Sequence, residues 1–413
     1  MPGIESKPAE TLRVGLLGLG TVGGGVARFL LERGPGLAQQ FGCNLELVRV
    51  LVRGLQTTRS VSVAPSLLTT NADEVIDSAD VDVVVEVIGG EEPAASYMRR
   101  SLQNGKHLVT ANKEVMAKHG LELLRLADDH DVDLYYEASV GGGLPLIGPF
   151  KRDLVANRIH HIRAIINGTT NYILTSMAQA GASYEEALRQ AQALGYAESD
   201  PHNDVAGIDA GYKLAILATL AFHSDVKPWD VYQEGIQSLS PKDFRYAAEM
   251  GYAIKLLAIA REEDGEVEAR VHPVLLPTDF LLAQVHGVFN AVELEGDLVG
   301  RVILYGRGAG SAPTSSAVIA DLIDLARNVR KGISNRTAML LGPTKPIRPL
   351  DEVITRYYVR LEVLDHPGVL AAIAGIMAKH DISIASVIQK ETNQERGTAE
   401  IVLTTHQAKE RSM

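Results

Sequence analysis

A short, largely apolar run, LRVGLL over residues 12–17, passes without a break into Gly18-Leu19-Gly20-Thr21-Val22-Gly23, and nothing else in the chain restricts its fold so much. A run of this length with no polar face reads as a strand covered on both sides, the habit of parallel sheets. Residues 22–32 then take up helical spacing. Strand, glycine loop and helix in that order form a dinucleotide site: the glycines let the backbone approach a pyrophosphate, and the helix N-terminus favours its charge. Gly18, Gly20, Thr21, Val22 and Gly23 are the candidate cofactor-binding residues. The plainer alternative is a glycine-rich turn that only packs helix on strand.

The pattern repeats. Residues 45–52 (LELVRVLV) read as a second strand that ends in Arg53, where an acidic residue would hold a ribose 2′-hydroxyl. An arginine suits a 2′-phosphate, so NADP is favoured over NAD, a solvated loop arginine being the bland alternative. Residues 81–88 (VDVVVEVI) give a third strand broken by Gly89-Gly90, and residues 94–104 a helix. Residues 106–110 give a fourth strand running through Ala111-Asn112-Lys113 into a helix, and residues 134–138 (LYYEA) a fifth. Lys113 falls in the first turn of its helix, where the dipole disfavours a cation, and at the carboxyl end of a strand, where ligands bind. Alternating strands and helices predict a doubly wound parallel sheet over residues 11–139.

Beyond the glycine-rich SVGGGLPLIG at 139–148, residues 158–167 alternate like a half-solvated strand. Adjacent His160 and His161 point to opposite sides and cannot jointly hold a metal. Gly168-Thr169-Thr170-Asn171 opens a helix, offering hydroxyls and free N–H groups to a carboxylate, or simply a cap. The most unusual stretch is GYAESDPHNDVAGIDAGYK, residues 195–213. It carries Glu198, Asp200, Asp204 and Asp209, with Asp225 downstream, and leads into LAILATLAF, which is apolar on every side. A helix apolar all round is buried, yet Asp209 and Lys213, four apart, share one of its faces. Such a pair can be a structural relic, since desolvation offsets the attraction. It can equally be a cleft in which burial lowers the proton affinity of a lysine. Residues 266–276 and 302–305 read as strands, 317–329 as a helix, and Gly306-Arg307-Gly308-Ala309-Gly310 as a second glycine loop at a helix start.

At 413 residues the chain calls for two or three domains. No apolar run is long enough for a bilayer, and a net charge of −11 argues against a nucleic-acid surface. The single cysteine, Cys43, excludes an intramolecular disulfide framework and thiolate clusters, as expected of a cytoplasmic protein. Residues 1–10 read as a loose tail. Residues 331–352, basic and containing Pro343, Pro346 and Pro349, read as a linker. Residues 353–413 follow a βαββ order, the start of a ferredoxin-like unit whose last helix and strand do not follow before Met413.

With these residues in view the chain resembles the homoserine dehydrogenase family over nearly its whole length. The diagnostic part is Gly195-Tyr196, Asp200-Pro201, Asp204, Gly207, Asp209 and Lys213; NGTTNYIL at 167–174, TANK at 110–113 and GRGAGSAPT at 306–314 add to it, and the tail resembles an ACT domain. The resemblance implies a Rossmann domain at 1–139 with a helix at 312–330 packing back on it, an α+β substrate and dimerisation domain at 140–311, and a partial ACT-like domain at 353–413. It implies interconversion of L-homoserine and L-aspartate 4-semialdehyde with NADP or NAD, in threonine and methionine biosynthesis. Lys213 is then the general acid/base, oriented by Asp209, with Lys113 as a second lysine. Glu198 and Asp204 hold the substrate ammonium, and Thr169 and Thr170 its carboxylate. Thr110, Lys113 and Gly308 join the cofactor residues. A monovalent cation, sodium, falls to Glu137, Val140, Gly142 and Leu144. The assembly is expected to be a homodimer or homotetramer, and an ACT domain short of its last helix and strand argues against strong threonine inhibition. Aspartate-semialdehyde dehydrogenase, the nearest rival, needs a nucleophilic cysteine, and Cys43 precedes the second strand, far from any catalytic segment. A non-catalytic sensor with Rossmann and ACT modules would leave Asp209 and Lys213 without a reason.

Overall fold

A computed structural model describes residues 10–333 and 341–413; residues 1–9 of the tail expected at 1–10 and residues 334–340 of the expected linker lie outside the described residues, and Glu10 belongs to the first strand instead of the tail. The first sheet is wholly parallel. Its strands are β1 (Glu10–Leu17), β2 (Cys43–Leu51), β3 (Leu68–Thr69), β4 (Val83–Glu86), β5 (His107–Thr110) and β6 (Leu134–Tyr135), in the order β3-β2-β1-β4-β5-β6. This is the Rossmann order, with its reversal between β1 and β4, the place where a dinucleotide binds. The strand expected at 134–138 is shorter than its apolar pattern suggests, because the chain turns into a 3-10 helix at Glu137–Ser139.

The helix Ser311–Arg330 comes late in the chain but completes this layer. Ala317, Val318, Leu322 and Leu325 pack in one cluster with Leu16, Val26, Leu30 and Val83. Ser311 and Ser315 donate hydrogen bonds to the carbonyls of Thr21 and Val22 at 2.7 and 3.0 Å, and Gly25 has no side chain because Ser315 fills that space.

The second sheet is mixed: β7 (Ile159–Ile165), β8 (Tyr232–Gln233), β9 (Tyr252–Glu263), β10 (Glu266–Pro277), β11 (Phe289–Gly296) and β12 (Gly300–Arg307), in the order β12-β11-β7-β9-β10-β8. All neighbours are antiparallel except β8 and β10. The helix Ile208–Phe222 packs on β7, β9 and β10 with one side and on the helix Lys113–Asp129 of the first domain with another. That double coverage is why it is apolar all round: Leu214, Ile216, Leu217, Leu220 and Phe222 share one core with Ala258 and Val267 of the second sheet and Val115 and Leu123 of the first domain. Its N-terminal turn therefore lies at the seam between the domains.

Further along the chain, β13 (Ile354–Thr355) precedes a three-stranded antiparallel sheet of β14 (Tyr358–Leu364), β15 (Ile384–Asn393) and β16 (Thr398–Thr405), ordered β14-β16-β15, and β17 (Ala408–Lys409) returns to pair with β13. The helix of this unit, Val369–Lys379, has no buried residue, and Leu370 and Ile376 are exposed. The unit docks on the helix Pro241–Glu249: Arg360 Nε and the Tyr358 hydroxyl both donate to Asp243 Oδ1, at 2.7 and 2.9 Å, and Lys242 pairs with Glu400 at 2.9 Å. The described part of the basic, proline-containing segment is no free spacer. Gly342 N donates to His223 O, Lys345 N to Ser224 Oγ, Val267 N to Pro346 O and Arg348 N to Val267 O, so that Val267 bridges to Ile347. No helix among the described residues is long and apolar enough to cross a membrane.

Candidate active site

The glycine loop at the end of β1 divides its work as a dinucleotide site requires. Gly18 has φ +103°, in the left-handed region that favours glycine. A Cβ on Gly23 would lie 2.0 Å from the Gly18 carbonyl oxygen, so this glycine lets the helix start against the strand. Nothing lies within 4 Å of the Cβ position of Gly20, which leaves the open approach a pyrophosphate needs, ahead of Thr21 and Val22 in the first turn of the helix Thr21–Phe41. The residues fit a bound dinucleotide. Arg53 is exposed just beyond the carboxyl end of β2.

Two other expected cofactor residues are engaged within the protein. The Thr110 hydroxyl is buried, donates to Glu86 Oε2 at 2.7 Å and accepts from Asn112 N at 3.0 Å. Glu86, the last residue of β4, also accepts from the backbone of Ile88 and Gly89 at 2.8 and 3.3 Å. Burial pushes its carboxyl up in pKa, against those donors. Gly308 is buried, and the place of its missing side chain is taken by the Asn290 carboxamide.

Lys113 is the first residue of its helix. Asn112 caps that helix, accepting from Val115 N at 3.1 Å and donating to Gly90 O at 2.8 Å, which ties the turn to the loop after β4. From here Lys113 Nζ reaches Asp209 Oδ1. Lys213 Nζ holds the other oxygen, Oδ2, at 2.7 Å and donates to Ile166 O at 2.7 Å. One buried carboxylate thus carries two lysines, one from each domain. Burial alone would raise the Asp209 pKa, but Lys213 and Lys113 hold it well below the usual carboxylate range. Burial lowers the pKa of Lys213, helped by Lys113 and opposed by Asp209. The attraction of Asp209 raises that of Lys113, against burial.

Asn167 completes the centre. Its amide nitrogen donates to Asp209 Oδ2 at 2.8 Å and to Asp204 Oδ1 at 2.7 Å. Asp204 is half-buried, and burial and Asp209 raise its pKa against the Asn167 amide and the two lysines. Glu198 is exposed, and its charge is felt at Lys113. The Thr169 hydroxyl donates to Tyr196 O at 2.6 Å, and Thr170 is buried with its hydroxyl on Asn167, so neither hydroxyl stands free. Asp200 accepts from His202 N, within its own turn. Asp225, close in sequence, lies past the far end of the helix, where it pairs with Lys227 at 3.1 Å; it is not part of this cluster. Sequence reasoning missed Asn167 as a bridge and Glu86 altogether. Asn167 stands in sequence only at the head of the 167–174 segment, with no role of its own, and Glu86 is an acid at the end of an apolar strand.

Glu137 closes the turn below the domain junction. Its carboxylate accepts from the backbone of Leu146, Ile147 and Gly148, the last two at 2.9 and 2.7 Å, and so caps the helix Ile147–Arg152. The loop Val140 to Leu144 between them contains two successive left-handed glycines, Gly141 at φ +74° and Gly142 at φ +54°. A cation at this loop would rest on backbone carbonyls, since no group of three or more His, Cys, Asp or Glu among the described residues is arranged to hold a metal. A cavity of about 510 Å³ lined by Arg13, Asp82, Lys106 and Arg330 lies at the amino ends of the strands, opposite the glycine loop, and has no part in this site.

Comparison with known proteins gives one answer across the chain. Residues 145–323 match the family described as homoserine dehydrogenase, residues 18–137 its NAD-binding domain, and residues 357–412 the ACT domain. The homoserine dehydrogenase of Neisseria gonorrhoeae is 41% identical over 407 residues, covering 97% of this chain and 93% of that protein. That of Bacillus subtilis is 40% identical over 403 residues, with the same coverage of 97% and 93%. The crystal structure of a homoserine dehydrogenase from Thiobacillus denitrificans superposes with a TM-score of 0.91 at 43% identity, over 98% of this chain and 94% of that one. A hyperthermophilic archaeal homoserine dehydrogenase in complex with NADPH matches with a TM-score of 0.65 at 27% identity, over 76% of this chain and 97% of that one.

Proposed function

The chain belongs to the homoserine dehydrogenase family, and from that premise we propose how its residues divide the work. It is an oxidoreductase that interconverts L-homoserine and L-aspartate 4-semialdehyde with a nicotinamide nucleotide on its Rossmann domain. The observation that carries the assignment of roles is the Asp209 carboxylate held between Lys213 and Lys113.

Lys213 is the general base for the substrate hydroxyl in oxidation and the acid in reduction. Its burial and the neighbouring Lys113 charge favour the neutral amine a base requires, while Asp209 and the Ile166 carbonyl fix where that amine sits. The bound nicotinamide supplies the acceptor for the hydride, and the protein contributes position and charge. Lys113 joins the cofactor turn to the acid of the other domain. Asp204, with Glu198 at the mouth, attracts the substrate ammonium. The substrate carboxylate goes to the start of the helix Gly168–Ala180, where the N–H groups of Gly168 and Thr169 suit it better than the engaged hydroxyls of Thr169 and Thr170. Purified protein given L-homoserine at alkaline pH is expected to reduce NADP or NAD; no reduction of either would sink the activity.

NADP is the preferred nucleotide because Arg53 stands free at the carboxyl end of β2 to meet a 2′-phosphate. Sodium sits in the Glu137–Leu144 loop; unchanged thermal stability when sodium is exchanged for a bulky organic cation would count against it. A homodimer is supported by the edge strand β12 and its surroundings, where Leu298 and Tyr305 are 73% and 58% exposed. A monomeric sedimentation profile at micromolar concentration would break that reading. The buried, solitary Cys43 fits a cytoplasmic location, which recovery of the protein outside the cell would contradict.

A further inference from the structure

We propose that Asn167 is a positioning residue that separates the tasks of the two carboxylates of the site, keeping Asp204 ionised for the substrate ammonium while Asp209 stays with the lysines. An amide nitrogen has two hydrogens. In Asn167 each is spent on a different acid, Asp204 of the short helix His202–Val205 at 2.7 Å and Asp209 of the helix Ile208–Phe222 at 2.8 Å. The amide cannot swing away, because its oxygen accepts from Thr170 N at 2.8 Å and from the Thr170 hydroxyl at 3.0 Å as the cap of the helix Gly168–Ala180. The residue before it, Ile166, gives its carbonyl to Lys213 at 2.7 Å. One dipeptide therefore touches Lys213, Asp209 and Asp204, and Asn167 itself is 5% exposed.

Two carboxylates this close would otherwise relieve their repulsion by sharing a proton. The groups facing Asp204 are Asp209 and Lys213 on the helix Ile208–Phe222 and Lys113 on the helix Lys113–Asp129. The lysines are committed to Asp209, so the Asn167 amide is the donor that keeps Asp204 ionised and distinct. Without it Asp204 binds a proton at higher pH and loses its attraction for an ammonium, while the Asp209–Lys213 pair stays intact.

The proposal rests on Asp204 being the acid that meets the substrate. Serine and aspartate are both good helix caps, so Asn167→Ser and Asn167→Asp keep the helix start and take away the amide that bridges the two acids. In the full-length enzyme Asn167→Ser is expected to raise the KM for L-homoserine about 10-fold or more, the scale of a hydrogen bond to a charged group. The acid limb of its kcat/KM profile should move to higher pH, with kcat at saturation, the KM for nucleotide and Tm near wild type. Asn167→Asp, which adds a third negative charge, should raise that KM further. Wild-type KM and pH profile in Asn167→Ser would reduce Asn167 to a cap and overturn the proposal; should that variant misfold, Asn167→Asp decides by the same readouts. Asp204→Asn measured alongside separates the two failures. If it raises the homoserine KM while Asn167→Ser does not, only this inference is lost; if it leaves KM unchanged, the assignment of Asp204 is lost as well.

Discussion

Lys113 and Lys213 bind the same carboxylate, one oxygen each, and come to opposite ends. Lys113 sits at the start of a helix with 43% of its side chain exposed, and the pull of Asp209 outweighs burial, so it holds its proton more firmly. Lys213 sits one turn into an apolar helix with 10% of its side chain exposed, and burial outweighs the pull of Asp209, so it gives its proton up more readily. Residue type and shared partner are the same; what differs is the depth of burial and the other charges nearby, Asp204 and Glu198 adding to the pull on Lys113 and Lys113 itself acting against a proton on Lys213. The two lysines around one acid thus differ in how firmly they hold a proton, Lys113 more and Lys213 less; on the reading proposed above, the second is the amine that meets the substrate.

The largest expected effect breaks the titratable half. Lys213→Ala should lower turnover at least ~100-fold, the scale of general acid–base catalysis, with the fold retained because the helix remains apolar. Near-normal turnover would remove Lys213 from the mechanism and leave the contrast without a function. Lys113→Met tests whether the halves are coupled. Its charge is one of the influences lowering the Lys213 pKa, so removing it lets that pKa rise. The limb on which kcat for homoserine oxidation rises with pH, where Lys213 loses its proton, should then move to higher pH; movement to lower pH would show that the two amines do not act on each other in this sense. The smallest effect lies farthest from the pair. Arg53→Ala should reduce the preference for NADP over NAD by about 10-fold, the worth of a charge-assisted hydrogen bond, and an unchanged ratio would show that the 2′-phosphate is read elsewhere.

Much of this was legible in the sequence where the signal is local. The glycine spacing at 18–23 and the apolar strands gave a doubly wound parallel sheet, though neither its strand order nor the short strand Leu68–Thr69, and LAILATLAF gave a buried helix, because strand and helix periodicities depend on neighbours a few residues away. The i,i+4 spacing placed Lys213 on Asp209 for the same reason. Local reading failed where two segments distant in sequence share one space. Gly308 looks like a loop for a ligand, yet its missing side chain is filled by Asn290. Asp225 looks like one more acid of the cluster, yet it lies at the other end of the helix. Residues 341–350 look like a spacer, yet are bonded along β10 and the end of the catalytic helix. Asn167 has no role in the sequence reading, yet its oxygen caps the helix that follows and its nitrogen bridges two acids that no neighbouring residue reveals.

The sequence by itself therefore determined the parallel sheet and the buried Asp209–Lys213 face, since each is written in short-range spacing, and its motifs carried the resemblance to the family. Only the tertiary structure brought Lys113 to Asp209, set Asn167 between two acids and covered the catalytic helix on both sides. Those contacts depend on where the sheet reversal and the domain seam place each helix start, and hence on how deeply each lysine is buried and which charges face it.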